Sequence, residues 1–196
     1  MVVRMLERPC EVREEAARAV DRALLQAQRL QGWGVVDGFC LCSDYCCNDN
    51  PFFPPALFDD LVAPYLARLV AGYRDLGFLV IKHTDGNVMP ILEALVAAKP
   101  HALHSLDPQG GVDLAEVKRL VGDQVCLIGN VSCAVLQSGT ETELVEACRY
   151  ALQHGMPGGG YVFGTSNCIY TGLPLSRYER MLEVWREEGW YGEPAS

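Results

Sequence analysis

The sequence is short of positive charge, lacks a long apolar helix and carries no familiar nucleotide-binding loop. Lys and Arg number 16 against 25 Asp and Glu, for a net charge of −9. So acidic a chain is a poor binder of polyanions, because phosphate contacts need a basic face, and no nucleic-acid partner is expected. The longest uncharged stretch, Tyr150–Ser176, is broken by Gly155, Pro157, Gly158, Gly159, Gly160, Gly164, Gly172 and Pro174. It reads as strand and loops, so no membrane span is expected. The opening residues, MVVRMLERPCEVREE, hold no apolar leader segment. Nine cysteines, an odd number in 196 residues, do not make a small disulfide framework. They imply reduced thiols and a cytoplasmic setting. No G-x-G-x-x-G opens a helix after the first strand, and no G-x-S-x-G elbow is present. Gly158-Gly159-Gly160 has no Lys-Ser/Thr after it, so it reads as a tight turn into a strand rather than a phosphate loop.

What is present is an alternation of helix and strand. Glu11–Gln31 carries apolar residues at helical spacing, closed by Gly32 and Gly34. Val35–Cys42 is a short apolar run that reads as a buried strand. After a Pro- and Asn-rich loop, Ala56–Leu76 reads as a helix interrupted at Pro64. Strands are then expected at Phe78–Lys82, Ala102–Leu106, Val125–Ile128 and Tyr161–Gly164. Helices are expected at Val88–Ala98, Asp113–Val121, Thr140–His154 and Leu175–Glu188. Thr140-Glu141-Thr142-Glu143 is a capping-box signal. No linker, charge run or low-complexity tract divides the chain, so residues 1–196 read as one domain. Five strands alternating with helices imply a parallel α/β sheet with right-handed crossovers, either doubly wound or part of a (β/α)8 barrel. A complete barrel takes about 250 residues.

Chemistry in parallel α/β folds collects at the carboxyl ends of strands. All five expected strands end in polar residues: Asp44; His83 to Asn87; His104 to Asp107; Asn130; and Ser166-Asn167-Cys168. His83 and Asp85 are two apart, so an extended backbone projects both to one side. They are suited to share a proton or bind one metal, with Cys168 as a third ligand around an open position. The plainer reading of Asp85-Gly86-Asn87 is a turn. Cys40, Cys42, Cys46 and Cys47 fit no standard zinc spacing, and Cys40 and Cys42 are expected to be buried as small hydrophobes.

Several runs together resemble the uroporphyrinogen decarboxylase superfamily. They are His83-Thr84-Asp85-Gly86-Asn87, Ala102 to Pro108, Gly129-Asn130-Val131, Gly158 to Tyr161, and the stretch from Asp44 through Pro54-Pro55 to Pro64-Tyr65. The resemblance runs from about Pro9 to Glu188. It implies a (β/α)8 barrel of which this chain holds the C-terminal part, with exposed edges and a homodimer formed through them. The superfamily includes uroporphyrinogen decarboxylases and methyltransferases that move a methyl group from a corrinoid protein to a thiol such as coenzyme M. Against the decarboxylases, the chain lacks their N-terminal third, which holds a functional Asp, and has Asn167-Cys168 where they carry a His. Against the methyltransferases, whose zinc is held by His-x-Cys and a distant Cys, His83 matches, Asp85 stands in place of a Cys, and Cys168 supplies the distant thiol.

The leading expectation is therefore methyl transfer from a corrinoid to a thiol, at a zinc held by His83, Asp85 and Cys168. Asp44, Asp85 and Asp107 are the candidate catalytic carboxylates, and Asn87, His104, Asn130, Ser166 and Asn167 the candidate substrate-binding residues. The donor would be a methyl-corrinoid on a partner protein. The competing expectations are cofactor-free decarboxylation of uroporphyrinogen, a non-catalytic partial barrel, and a metal-dependent hydrolase using His83, Asp85 and Asp107.

Overall fold

The computed structural model describes residues 2–192. Two helices open the chain, α1 (Val2–Glu7) and α2 (Pro9–Trp33). Pro9 suits the first turn, where its missing N–H is not needed, and Gly34 closes α2 at φ +65°. The expected helix over 56–76 divides into α3 (Pro55–Leu61) and α4 (Ala63–Asp75). The break falls at Val62, two residues before Pro64, whose ring cannot continue an α-helical hydrogen-bond ladder.

The remaining elements follow the expected order. They are β1 (Gly38–Cys42), β2 (Leu79–Thr84), α5 (Leu92–Ala97), β3 (Ala102–Ser105), α6 (Leu114–Val121) and β4 (Cys126–Val131). After them come α7 (Cys133–Ser138), α8 (Glu141–Gly155), β5 (Tyr161–Thr165) and α9 (Leu175–Glu188). Asp113 caps α6 through the Ala115 amide at 3.1 Å. Thr140 and Glu143 form the reciprocal capping box of α8. Gly158, Gly159 and Gly160 all have positive φ, which makes the tight entry into β5. Helices α1 and α7 have no counterpart in the sequence reading.

All five strands are parallel and pair in chain order, β1-β2-β3-β4-β5. A doubly wound sheet reverses its order at a switch point. This one never does, so every crossover winds the same way, as in a barrel. The sheet is not closed, and β1 and β5 are its edges.

Register then sorts the side chains, because paired residues in a parallel sheet project to the same face. Leu41, Lys82, Leu103, Leu127 and Tyr161 form one row, turned toward the helices. The main core lies there, with Phe58, Val70, Leu127, Leu144 and Val184 fully buried. Cys42, His83, His104, Ile128 and Val162 form the opposite row. That inner face is open: Leu79 is 57 % and Val162 50 % exposed.

The openness corrects one expectation. Cys40 and Cys42 are exposed, not buried, because β1 is an edge strand and their face carries no covering layer. Of the four clustered cysteines only Cys46 packs inside. Among the described residues no helix is long and apolar enough to cross a membrane.

Candidate metal centre

Parallel pairing of β1 with β2 sets the site. Cys42 lies opposite His83, so the residues just past each strand end come together. Asp44, His83 and Asp85 each offer one ligand atom, and these atoms lie within 4.8 Å of one another. The His83 Nε2 stands 3.6 Å from Asp85 Oδ1 and 3.9 Å from Asp44 Oδ1. Both distances are too long for hydrogen bonds. They are close to the spacing of about 3.4 Å that two ligands at 2.1 Å adopt around a tetrahedral ion.

The histidine tautomers follow from a chain of donors. His104 Nε2 lies 3.1 Å from the Thr165 carbonyl oxygen, which can only accept, so Nε2 carries the proton. Burial pulls His104 below the ordinary histidine range, and His83 adds to that, against the pull of the Thr165 carbonyl and Asp85. A neutral His104 then presents a bare Nδ1. His83 Nδ1, 2.8 Å away, must donate to it. With Nδ1 so engaged, a neutral His83 would aim its Nε2 lone pair at two carboxylate oxygens. One of them, Asp85 Oδ1, is buried and has no hydrogen-bond partner. Three acceptors thus face a single gap that a cation would fill.

The supporting contacts are those a metal site needs. Asp85 Oδ2 accepts from Asn167 Nδ2 at 2.5 Å, and Asp44 Oδ1 accepts from the Asp85 amide at 3.1 Å. The Asp44 side chain is about half exposed (52 %), so the gap has an entrance. Gly86 must be glycine, since it has φ +81° and a Cβ there would meet the Cys47 carbonyl oxygen at 2.5 Å. Gly110 packs its α-carbon against Gly86, so the loops after β2 and β3 touch through bare backbone.

The other sequence candidates have clear places. Asn167 orients Asp85 and also accepts from the Cys168 amide at 2.7 Å. Cys168 is exposed and its thiol lies outside the Asp44–His83–Asp85 group. The structure therefore gathers Asp44, rather than Cys168, with His83 and Asp85. Asn87 donates to the Asp49 carbonyl at 3.0 Å and accepts from the Met89 amide, which fixes its loop. Asn130 is buried and donates to the Leu106 carbonyl at 2.8 Å. Asp107 accepts from the Gln109 amide at 3.1 Å; burial raises its pKa, the Asp85 charge adds to the rise, and Ser166 opposes it.

Lys82 escaped the sequence reading as a structural residue. It is 1 % exposed and lies on the helix side. Its ammonium donates to the carbonyls of Leu41 (3.1 Å), Ser43 (2.9 Å) and His83, and sits 4.4 Å from the Tyr45 ring centroid. Burial pushes it down to about 8, against the pull of Asp44. It ties the ends of β1 and β2 together beneath Asp44, His83 and Asp85.

The sequence of residues 43–188 matches the model of the uroporphyrinogen decarboxylase (URO-D) family. The chain belongs to the uroporphyrinogen decarboxylase family. All the residues around the gap lie within the matched span. A uroporphyrinogen decarboxylase from Thioalkalivibrio sulfidiphilus (strain HL-EbGR7) is 26 % identical over 145 residues, covering 69 % of this chain and 38 % of that protein. A methyltransferase from Methanosarcina mazei superposes with a TM-score of 0.71 at 20 % identity, over 86 % of this chain and 47 % of the other. That likeness establishes the barrel-type fold of this family member. The chain spans less than half the length of either relative.

Proposed function

We propose that this member of the uroporphyrinogen decarboxylase family transfers a methyl group to a thiol at a zinc held by Asp44, His83 and Asp85. The observation that carries the reading is the convergence of three lone-pair atoms on one gap, with the buried Asp85 Oδ1 lacking any donor. Zinc bound there would lower the pKa of an incoming thiol, so that a thiolate is available at neutral pH. His83 donates its Nδ1–H to His104, which turns Nε2 toward the gap, and Asn167 holds Asp85 in line. The donor would be a methyl-corrinoid carried by a partner protein. Sulfur gains the methyl group, and the electron pair of the broken carbon–cobalt bond stays with cobalt.

Decarboxylation of a porphyrinogen fits this face less well. Its substrate carries several carboxylates and needs cations. The mouth presents Asp44, Asp85 and Asp107, while the ammonium of Lys82 is committed to backbone carbonyls on the other side of the sheet.

The test is zinc per chain in reduced, tag-free protein, followed by transfer from free methylcobalamin to a small thiol. About one zinc is expected at this cluster, counted in a Cys40→Ser background so that the thiol pair on β1 contributes none. It should be lost in His83→Ala and Asp44→Ala and kept in Cys168→Ser, with methyl transfer following the zinc. A folded wild type without zinc, or methyl transfer that survives His83→Ala, refutes the proposal.

A further inference from the structure

We propose that Cys40 and Cys42 form a second metal site, a two-thiolate chelate for a single thiophilic d10 cation, on the open inner face of the sheet. The site is independent of the Asp44–His83–Asp85 cluster and does not rest on the methyl-transfer reading.

The geometry begins with the strand. Residues two apart in β1 point the same way, so Cys40 and Cys42 project together from the inner face. Both are free and exposed, and their sulfurs are 3.6 Å apart. Two thiolates bound to one tetrahedral ion at about 2.3 Å stand about 3.8 Å apart, so chelation needs almost no movement. A disulfide needs much more. Two residues along a strand span roughly 6.6 Å between α-carbons, near the upper end of what a disulfide bridges, and the sulfurs would have to close to about 2.05 Å. The strand thus favours an ion between the sulfurs over a bond.

The neighbours are consistent with a dedicated pair. Cys46 is buried, and the Cys47 thiol donates to the Asn50 carbonyl at 3.0 Å. Because β1 is an edge strand, the site is open to solvent on one side, which leaves coordination positions for water or an added ligand. Sulfur ligands select soft d10 ions, whereas the carboxylate–imidazole set one strand away suits harder ones. On binding, each thiol releases its proton to solvent and the ion keeps its charge state, so no electrons move.

Titrating the reduced full chain with Cd2+ alone, and following the ultraviolet sulfur-to-cadmium charge-transfer band, tests the assignment. One equivalent should saturate the band in wild type. Cys40→Ser and Cys42→Ser should each weaken binding roughly 10²-fold, the loss expected when a chelate becomes a single contact. Cys47→Ser, Cys168→Ser and His83→Ala should leave it unchanged. In wild type, Cd2+ should protect Cys40 and Cys42 from alkylation, read by mass spectrometry, which needs no variant to fold. A band indifferent to both serine substitutions, alkylation unaffected by Cd2+, or loss of the band in folded His83→Ala overturns the proposal, the last by showing one shared site.

Discussion

Replacing Asp44 with Asn should stabilise the metal-free protein, although it removes a charge from the centre of the cluster. The carboxylate oxygens of Asp44 and Asp85 lie within 4.8 Å of each other and share the gap with the bare Nε2 of His83. Two unit charges at that separation repel by about 1 kcal/mol in water and about 3.5 kcal/mol at an effective dielectric of 20. Asp44 is half exposed, so the relief in Asp44→Asn should fall between these, at about 1–3 kcal/mol. For a chain of this size that is a rise in Tm of roughly 3–9 °C. Asn keeps an oxygen to accept the Asp85 amide hydrogen bond, so the loop anchor survives. The assay is a calorimetric melt in chelator at about pH 8.5, where imidazoles are ordinarily neutral and cannot screen the carboxylates by taking up a proton. Asp49→Asn, on the same loop but outside the cluster, is the control. Zinc affinity, read by competition with a chromophoric chelator on native protein, should fall by at least tenfold in Asp44→Asn. Competition is preferable to a zinc-dependent melt, because the nine cysteines of the unfolded chain also bind zinc and mask the shift. If Asp44→Asn melts no higher than Asp49→Asn in chelator, the three acceptors are not in conflict and the metal argument fails.

Further outcomes follow from neighbouring residues. Lys82 titrates near 8 when folded and near 10.4 when unfolded, so the unfolded state holds more protons between those values and this group's contribution makes stability rise with pH there, by up to about 3 kcal/mol. Cys46, pushed up to about 11 by burial, acts in the opposite sense, so the quantity to measure is wild type minus Lys82→Met in urea unfolding; a difference that stays flat from about pH 7 to 10 refutes the assignment. His104→Phe keeps a ring but removes the acceptor for His83 Nδ1, and zinc affinity should drop about 10–100-fold with all ligands intact; unchanged affinity would show that His83 needs no orienting partner. Gly110→Ala places a Cβ 2.4 Å from the Gly86 carbonyl carbon and should cost about 1–3 kcal/mol in denaturant unfolding while lowering zinc occupancy; a neutral effect on both would refute the backbone contact. The open edges and inner face should drive self-association in sedimentation experiments, and a monodisperse, cooperatively melting monomer would count against it.

Much of the fold was legible because its signals are local. Pro64 stops a helix from running through it and starts a new one, Thr140 with Glu143 makes a cap from four consecutive residues, and three glycines turn the chain into β5. The pairing of His83 with Asp85 was equally local, since it needs only extended backbone. The third member of the cluster was not. Asp44 joins the site because β1 and β2 are neighbours in register, and the sequence states only that both strands exist. Cys168 was offered by its place at the end of the fifth strand and matched by the resemblance, while the backbone after β5 turns so that Asn167, one residue earlier, reaches Asp85. The burial of Cys40 and Cys42 failed for a related reason. An apolar run signals a strand, but whether both its faces are covered depends on how many strands surround it.

The two histidines show why the tautomer matters more than the ligand count. If Thr165 presented a donor to His104 rather than a carbonyl, the proton order would reverse, and His83 would point an N–H at Asp85 and satisfy it without any ion. The Thr165 carbonyl, at the end of the last strand, instead commits the His83 Nδ1–H to His104, so that a neutral His83 faces the gap between β1 and β2 with a lone pair. One backbone oxygen on β5 therefore sets the charge demand at the opposite edge of the sheet, through a relay of two rings in adjacent positions of one register row. The same row ends in Cys42, so the next strand edge offers sulfur where the strand ends offer oxygen and nitrogen. A hard and a soft donor set lie side by side because a parallel ladder keeps neighbouring strands in step, and each can be emptied by substitution without touching the other.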